Sequence, residues 1–403
     1  MSEDKLAIDG GEPVIKKKLI LGYPGALTID EREERAVLEV IRSKSLFRYY
    51  GPNPLFKVKE FEEKFAKYIG CKYTLAVTSG TAALIVAVRS LGVKEGDQVI
   101  VPAYAWISTP VSVVLNGGEV VVVGVDESLN IDPTAIEYAV SEKVKVVIPV
   151  HMRGVPANME GVMKVARDHD LKVVEDVAQA CGGSFKGKKL GAIGDAGIFS
   201  FQLNKNMTAG EGGAVTTSNE EIYKRAVAAH DVAAYYRNPK YVPPMPSPNF
   251  RLNELSAAVL IEQLDKLDRN IARMKELKKI VKEAVEQSPG LELRKIPDEE
   301  GDTACTITFF LKSSEKALKF AKALSAEGVP AGVICNPENP YEGHIWVNWK
   351  VLLGKKMIVH KESCEKALDL LSRGVSIGLV PVLSTEDAEL IAKAIKKVAM
   401  VIH

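Results

Sequence analysis

Cysteine is scarce and scattered in this chain of 403 residues: five, at Cys71, Cys181, Cys305, Cys335 and Cys364, with no C-x-x-C pair. That excludes a disulfide framework, a zinc knuckle and a thioredoxin-like site, and leaves reduced, mostly buried thiols as the expectation. Neither sign of charge is in excess. The 53 lysines and arginines balance 52 acids to a formal +1, which argues against a nucleic-acid partner, normally met by a basic stripe. Long apolar runs are missing too. None approaches the roughly 20 residues that cross a bilayer, so no membrane span is expected. The first thirty residues lack the charged start, apolar core and small-residue cleavage site of a signal peptide, so the expected location is cytoplasmic. There is no internal repeat and no low-complexity segment.

What is present is a globular mixture, 46% hydrophobic and 26% charged, long enough for two large domains. From about 52 to 230, apolar runs at 74–79, 98–104, 119–126, 144–151, 171–176, 196–202 and 213–218 alternate with amphipathic stretches such as 55–68, 81–91 and 159–170. Most runs are apolar on consecutive positions, as in strands buried on both faces of a parallel sheet. The expected fold class is therefore α/β, a mostly parallel central sheet flanked by helices. Residues 230–250, rich in proline and tyrosine, read as an irregular loop. The stretch 253–288 contains no glycine or proline and reads as one very long helix or two joined end to end. Strand candidates at 304–311 and 374–381, with helices at 314–326, 361–372 and 384–399, predict a smaller α+β domain. The division is placed at 1–262 and 263–403.

Four segments carry candidate chemistry. Lys205 follows a buried strand and precedes a glycine cluster ending at Gly213; burial lowers a lysine pKa and frees its lone pair as a nucleophile. Asp176 closes the apolar run VVED, at the carboxyl edge where open α/β sheets bind ligands. Acid and lysine together are the pair that pyridoxal phosphate requires, one to protonate the ring nitrogen and the other to join the aldehyde. Ser79, Gly80 and Thr81 turn a strand end into a helix start, whose free N–H groups suit a phosphate. Trp106, delivered by VPAYAW, is placed to cover a planar ring. Each segment also has a plainer reading: a surface lysine, a capping acid, an ordinary N-cap, a core tryptophan. No cluster has metal-ligand spacing.

In order, SGTAAL, VPAYAW, VIPVHMRGVPANME, VVEDVAQACGG, GDAGIFSF, NKNMTAGEGGA and NFRLNELSAAVLIEQL resemble the DegT/DnrJ/StrS sugar aminotransferases, pyridoxal-phosphate enzymes of fold type I. The resemblance runs from the helix near 61–70 to the end of the long helix, and more weakly to 376–395. It implies that Lys205 forms the Schiff base and moves the proton, that Asp176 pairs with the pyridine nitrogen, and that Gln179 bonds the phenolic oxygen. Ser79, Gly80, Thr81 and Ser200 would hold the phosphate, and Trp106 would stack on the ring. Asn249 would reach the phosphate of the other subunit, implying a homodimer with shared sites that could pair further into a tetramer. Arg251, Tyr235, Tyr236 and His344 are the candidate substrate residues, with Arg237 and the segment 344–349 as further walls.

Two positions depart from the pattern. Arg153 stands where an uncharged residue is usual and Cys181 where histidine is common, so the substrate pocket is open to question. Lysine at 205 argues against the dehydrating branch, which carries histidine there. The implied reaction moves an amino group from L-glutamate or L-glutamine to a keto-sugar, nucleotide-linked or free, or to a keto-cyclitol. Trp106 and the opening LAIDGGEPV tilt the acceptor toward a cyclitol or free sugar. The alternatives are an eliminase or aldolase on the same fold, or a non-catalytic regulator.

Overall fold

The computed structural model describes residues 5–336, 339 and 342–402. The seven apolar runs become strands: β1 (Tyr73–Val77), β2 (Gln98–Pro102), β3 (Glu119–Val123), β4 (Val144–Val147), β5 (Lys172–Asp176), β8 (Ala196–Ser200) and β9 (Gly213–Thr217), with a short hairpin of β6 (Ser184–Phe185) and β7 (Lys188–Lys189) between the fifth and sixth runs. Five more follow the long helix: β10 (Glu292–Leu293), β11 (Thr306–Phe310), β12 (Ala331–Val333), β13 (Met357–Val359) and β14 (Gly374–Gly378).

Eight strands form one sheet in the order β1-β9-β8-β5-β4-β2-β3-β13. Every neighbouring pair is parallel except the two made by β9. The consecutive apolar pattern has its physical reason here, because both faces are covered. Val121 and Val123 of β3 enter one core while Val120 and Val122 enter the other, and Val173 and Val174 of β5 divide in the same way. The first core includes Phe61 and Phe65 of the helix Lys57–Ile69, packed edge-on against Phe201. The second includes Ala83, Val86 and Ala87 of the helix Gly80–Ser90.

The glycine-free stretch is one helix, Glu254–Glu286, capped by the Asn253 side chain, which accepts from Ser256 N–H at 2.9 Å. At 1.5 Å per residue it is about 50 Å long, enough to serve two cores. Leu260, Leu267 and Met274 pack against the large sheet, whereas Leu277, Val281 and Val285 pack under the second sheet, antiparallel in the order β10-β11-β14-β12. The chain crosses between the cores at both ends. Leu6, Ile15 and Leu19 join the core of the small sheet; Trp349, Leu353, Cys364 and Leu371 join that of the large one, beside β13. Among the described residues no helix is long and apolar enough to cross a membrane.

Candidate active site

At the carboxyl ends of β1, β2, β5 and β8 lies a cavity of about 770 Å³. It gathers Ser79, Gly80, Thr81, Trp106, Asp176, Gln179, Ser200, Lys205 and His344 from segments far apart in sequence. A parallel sheet puts all these strand ends on one edge, which is why residues separated by more than a hundred positions meet there.

Asp176 ends β5 and is 4% exposed. Its Oδ1 accepts from Ala178 N–H at 3.1 Å and its Oδ2 from the Thr109 hydroxyl at 2.9 Å. Burial pushes its pKa up; these two donors and the charge of Lys205 pull it back without cancelling the rise. Such a carboxylate is short of positive charge, and a protonated ring nitrogen would supply it.

Lys205 rides on a loop closed by Phe201 N–H to Gly212 C=O at 2.8 Å and Leu203 N–H to Gly210 C=O at 3.1 Å. Gly210 has φ +80°, a conformation that side chains resist, so the glycine cluster makes this turn possible. Burial lowers the Lys205 pKa, against the attraction of Asp176. The result is a larger share of neutral, nucleophilic amine. From the N-terminal arm, Gly25 N–H donates to Lys205 C=O at 3.0 Å, and a Cβ on Gly25 would come within 2.9 Å of that oxygen.

Ser79 caps the helix Gly80–Ser90, its hydroxyl accepting from Ala82 N–H at 3.0 Å. Beside it, a Cβ on Gly80 would lie 2.7 Å from Ser200 Cβ, so only glycine lets the helix start against β8. The Thr81 and Ser108 hydroxyls meet at 2.8 Å. Free N–H groups and hydroxyls at a helix start form an anion site. Gln179 accepts Arg153 N–H through Oε1 at 3.1 Å, which leaves its amide NH₂ to donate. Trp106, 49% exposed, stands at the mouth with the His344 ring 4.8 Å away. An anion cradle, a buried carboxylate, an amide donor and a depressed lysine in one cavity fit pyridoxal phosphate, which carries a phosphate, a basic ring nitrogen, a phenolic oxygen and an aldehyde.

Asn249, Arg251, Tyr235 and Tyr236 do not line this cavity. Asn249 is exposed and accepts Arg251 N–H at 3.2 Å. The Arg251 guanidinium pairs with buried Asp231, as does that of Arg237. Tyr235 and Tyr236 meet edge-on at 5.5 Å, with Tyr236 exposed. In the segment 344–349 only His344 lines the cavity; Trp349 is buried, its indole N–H on Gly343 C=O at 3.0 Å.

Sequence reading missed Thr109, which looks like any other threonine until the fold sets it against Asp176. It also missed a second chamber of about 460 Å³ that shares Gln179, Asn204, Lys205 and His344 with the first and adds Tyr23, Tyr104, Arg153 and Ser376. The unusual charge at Arg153 was its one visible signal. Cys181, the other departure, is buried, and burial pushes its thiol up to about 12.

Residues 27–396 match the DegT/DnrJ/EryC1/StrS aminotransferase family. The chain belongs to that family. It is a pyridoxal-phosphate-dependent aminotransferase with the fold of type I enzymes. It is similar to a dTDP-3-amino-3,6-dideoxy-alpha-D-galactopyranose transaminase of Aneurinibacillus thermoaerophilus, 32% identical over 343 residues, 85% of this chain and 90% of that protein. It is also similar to a putative L-glutamine:3-amino-2,3-dideoxy-scyllo-inosose aminotransferase of Micromonospora echinospora, 35% identical over 269 residues, 66% of this chain and 62% of the relative. The crystal structure of 3-amino-5-hydroxybenzoic acid synthase superposes with a TM-score of 0.82 at 28% identity, covering 95% of this aminotransferase and 100% of that chain.

Proposed function

We propose that this aminotransferase moves an amino group from L-glutamate or L-glutamine to the ketone of a sugar, nucleotide-linked or free, or of a cyclitol, in amino-sugar or aminocyclitol biosynthesis. The observation that carries the reading is the meeting of Lys205 and Asp176 in one cavity with the capped helix start at Ser79. The names of the relatives, one a nucleotide-sugar transaminase and one an inosose aminotransferase, support both acceptor classes.

When bound, pyridoxal phosphate supplies an aldehyde that takes up amines and a ring that accepts electrons. The helix start, Thr81 and Ser200 hold its phosphate end. Asp176 balances positive charge at the ring nitrogen, kept in place by Thr109 and Ala178. Gln179 donates to the phenolic oxygen through its amide, while Trp106 and His344 narrow the mouth and limit water. Lys205 Nζ would be the group's point of attachment and, as a free amine, would take a proton from the donor's α-carbon and hand it on to the cofactor. Its lowered pKa suits both directions.

In this reading the enzyme acts in the cytoplasm as a homodimer, with Asn249 reaching the phosphate in the partner's cavity and Tyr235 and Tyr236 lining its entrance. The exposure of Asn249 and Tyr236 on the single chain supports that role. The test is the visible absorbance of the purified holoenzyme, followed as L-glutamate or L-glutamine is added. Bleaching by either donor, with colour restored by a keto-sugar or keto-cyclitol, is expected, and Lys205→Ala slows bleaching by ~10²–10⁴-fold. A stable band that no amino donor bleaches would instead favour an eliminase or aldolase.

A further inference from the structure

In the second chamber Arg153 has no carboxylate partner among the described residues. Arg153 has φ +53° and is followed by Gly154 at φ +86°, where a Cβ would come within 2.3 Å of Thr303 Oγ1. This paired left-handed turn is held by Arg153 N–H on Gln179 Oε1 at 3.1 Å and the Thr306 hydroxyl on Arg153 C=O at 3.0 Å. It directs the side chain into the space between the two sheets. There the guanidinium Nε donates to the Tyr104 hydroxyl at 2.7 Å and Nη1 reaches Ser376 Oγ at 3.5 Å.

Both partners are neutral. Arg48 meets Glu62 at 2.8 Å and Lys278 meets Asp302, whereas buried Arg294 rests on the carbonyls of Ser128 and Met152, which close it off from the chamber's ligands. Among the described residues no carboxylate lies within ion-pair distance of Arg153. The acid that acts on it from farther away, Glu342, is taken by His344 Nδ1 at 2.7 Å. The chamber that Arg153 lines also opens onto Lys205. A planar fork of donors with no carboxylate partner among the described residues, in a chamber that Lys205 also lines, is complementary to a carboxylate.

We propose that Arg153 is the carboxylate-recognising residue of the substrate chamber, a specificity-determining group for this reaction. The inference rests on the aminotransferase reading above for its substrates. Two of them offer that chemistry: the α-carboxylate of the amino donor, and an acid group on the acceptor sugar. The two half-reactions use the chamber in turn, so Arg153 meets each.

The test is calorimetric binding to the holoenzyme of two unreactive probes, glutarate for the donor and D-glucuronate for an acidic acceptor, with D-glucose as neutral control. Wild type, Arg153→Gln and Arg153→Lys are compared, with melting temperature and cofactor absorbance as folding controls. At least tenfold weaker binding of glutarate alone to Arg153→Gln assigns the donor carboxylate. The same loss for D-glucuronate alone assigns the acceptor, and loss of both assigns the two together. Arg153→Lys is expected to recover part of the binding, and in the donor case half-saturation by L-glutamate rises at least tenfold while the maximal bleaching rate changes less than threefold. The proposal is overturned if Arg153→Gln binds both acids as wild type does, or if wild type prefers neither acid to D-glucose. Failure of wild type to bleach with any donor would refute the aminotransferase reading alone, since the binding comparison does not depend on turnover.

Discussion

The Thr109 hydroxyl donates to Asp176 Oδ2 at 2.9 Å, with both side chains buried. Among the described residues it is the one side-chain donor on a carboxylate that burial would otherwise drive toward its neutral form. Thr109→Val keeps the shape and removes that donor. The Asp176 pKa then rises further, and its hold on a ring nitrogen weakens. With a hydrogen bond to a charged group worth about 1.5–3 kcal/mol, the half-reaction with L-glutamate slows on the order of tenfold or more. Stopped-flow bleaching measures it, and an unchanged rate would remove Thr109 from the machinery.

Gly80 sits where the capped helix meets β8. A methyl group there would lie 2.7 Å from Ser200 Cβ, and both neighbours are main-chain-anchored, so the helix start must move. Gly80→Ala is expected to cost about 1–3 kcal/mol, as overpacking does, and to weaken cofactor retention more than it lowers the melting temperature of the apo protein. Pyridoxal phosphate titration beside an apo melt separates the two.

His230 is fully buried, its Nδ1 2.7 Å from Val227 C=O, and is faced by the charges of Arg48, Arg237 and Arg251 with Asp231 next in sequence. Burial, reinforced by those arginines, holds its pKa down to about 3 against 6.5 in the unfolded chain. The unfolded chain therefore binds more protons between these values. The contribution of His230 to stability is constant above pH 6.5 and falls as the pH drops toward 3, by on the order of 1.4 kcal/mol per unit. His230→Asn keeps a donor for Val227 and flattens that part of the curve. Denaturant melts of the two proteins from about pH 4 to about pH 8, which take in the plateau and most of the fall below it, provide the comparison.

Glu327 is fully buried and accepts from Ala7 N–H at 2.8 Å, Val14 N–H at 3.0 Å and Lys397 Nζ at 2.8 Å. Glu327→Ala strands one cation and two backbone donors, at a cost of about 3–5 kcal/mol. Chemical denaturation should show that loss, and limited proteolysis should show early cutting within the first residues. Wild-type resistance in the variant would mean that the arm's main-chain bonds and apolar contacts suffice to hold it.

The seven strand runs were legible because a sheet covered on both faces demands uninterrupted apolar residues, a pattern visible without the fold. The single long helix was legible for the opposite reason, since nothing in 253–288 stops it. The meeting of Lys205 and Asp176 in one cavity could be anticipated, because the chemistry restricts the residue type at both positions. Thr109 was invisible, because a hydroxyl acquires meaning only from what the fold places within 3 Å of it. The passage of Leu6, Ile15 and Leu19 into the small sheet's core was hidden as well, since a sparse apolar residue in an irregular arm has no period to read.

That arm has a consequence for the order in which the enzyme is made. Gly25, which fastens the backbone at Lys205, leaves the ribosome almost two hundred residues before its partner. Ile15 N–H waits for Glu327 C=O, and the main chain at Leu21 lies so close to Gly378 that no side chain fits there. Lys397, which fixes Glu327 and also reaches Glu12 C=O, arrives later still. The arm thus docks only after residues synthesised hundreds of positions later are present, and its tie through Glu327 is complete only when the helix Thr385–Ala399 is in place. A chain cut short before that helix lacks Lys397, and with it the tie that runs through Glu327 to the arm whose Gly25 braces Lys205, so a truncation far from the cavity reaches the lysine loop.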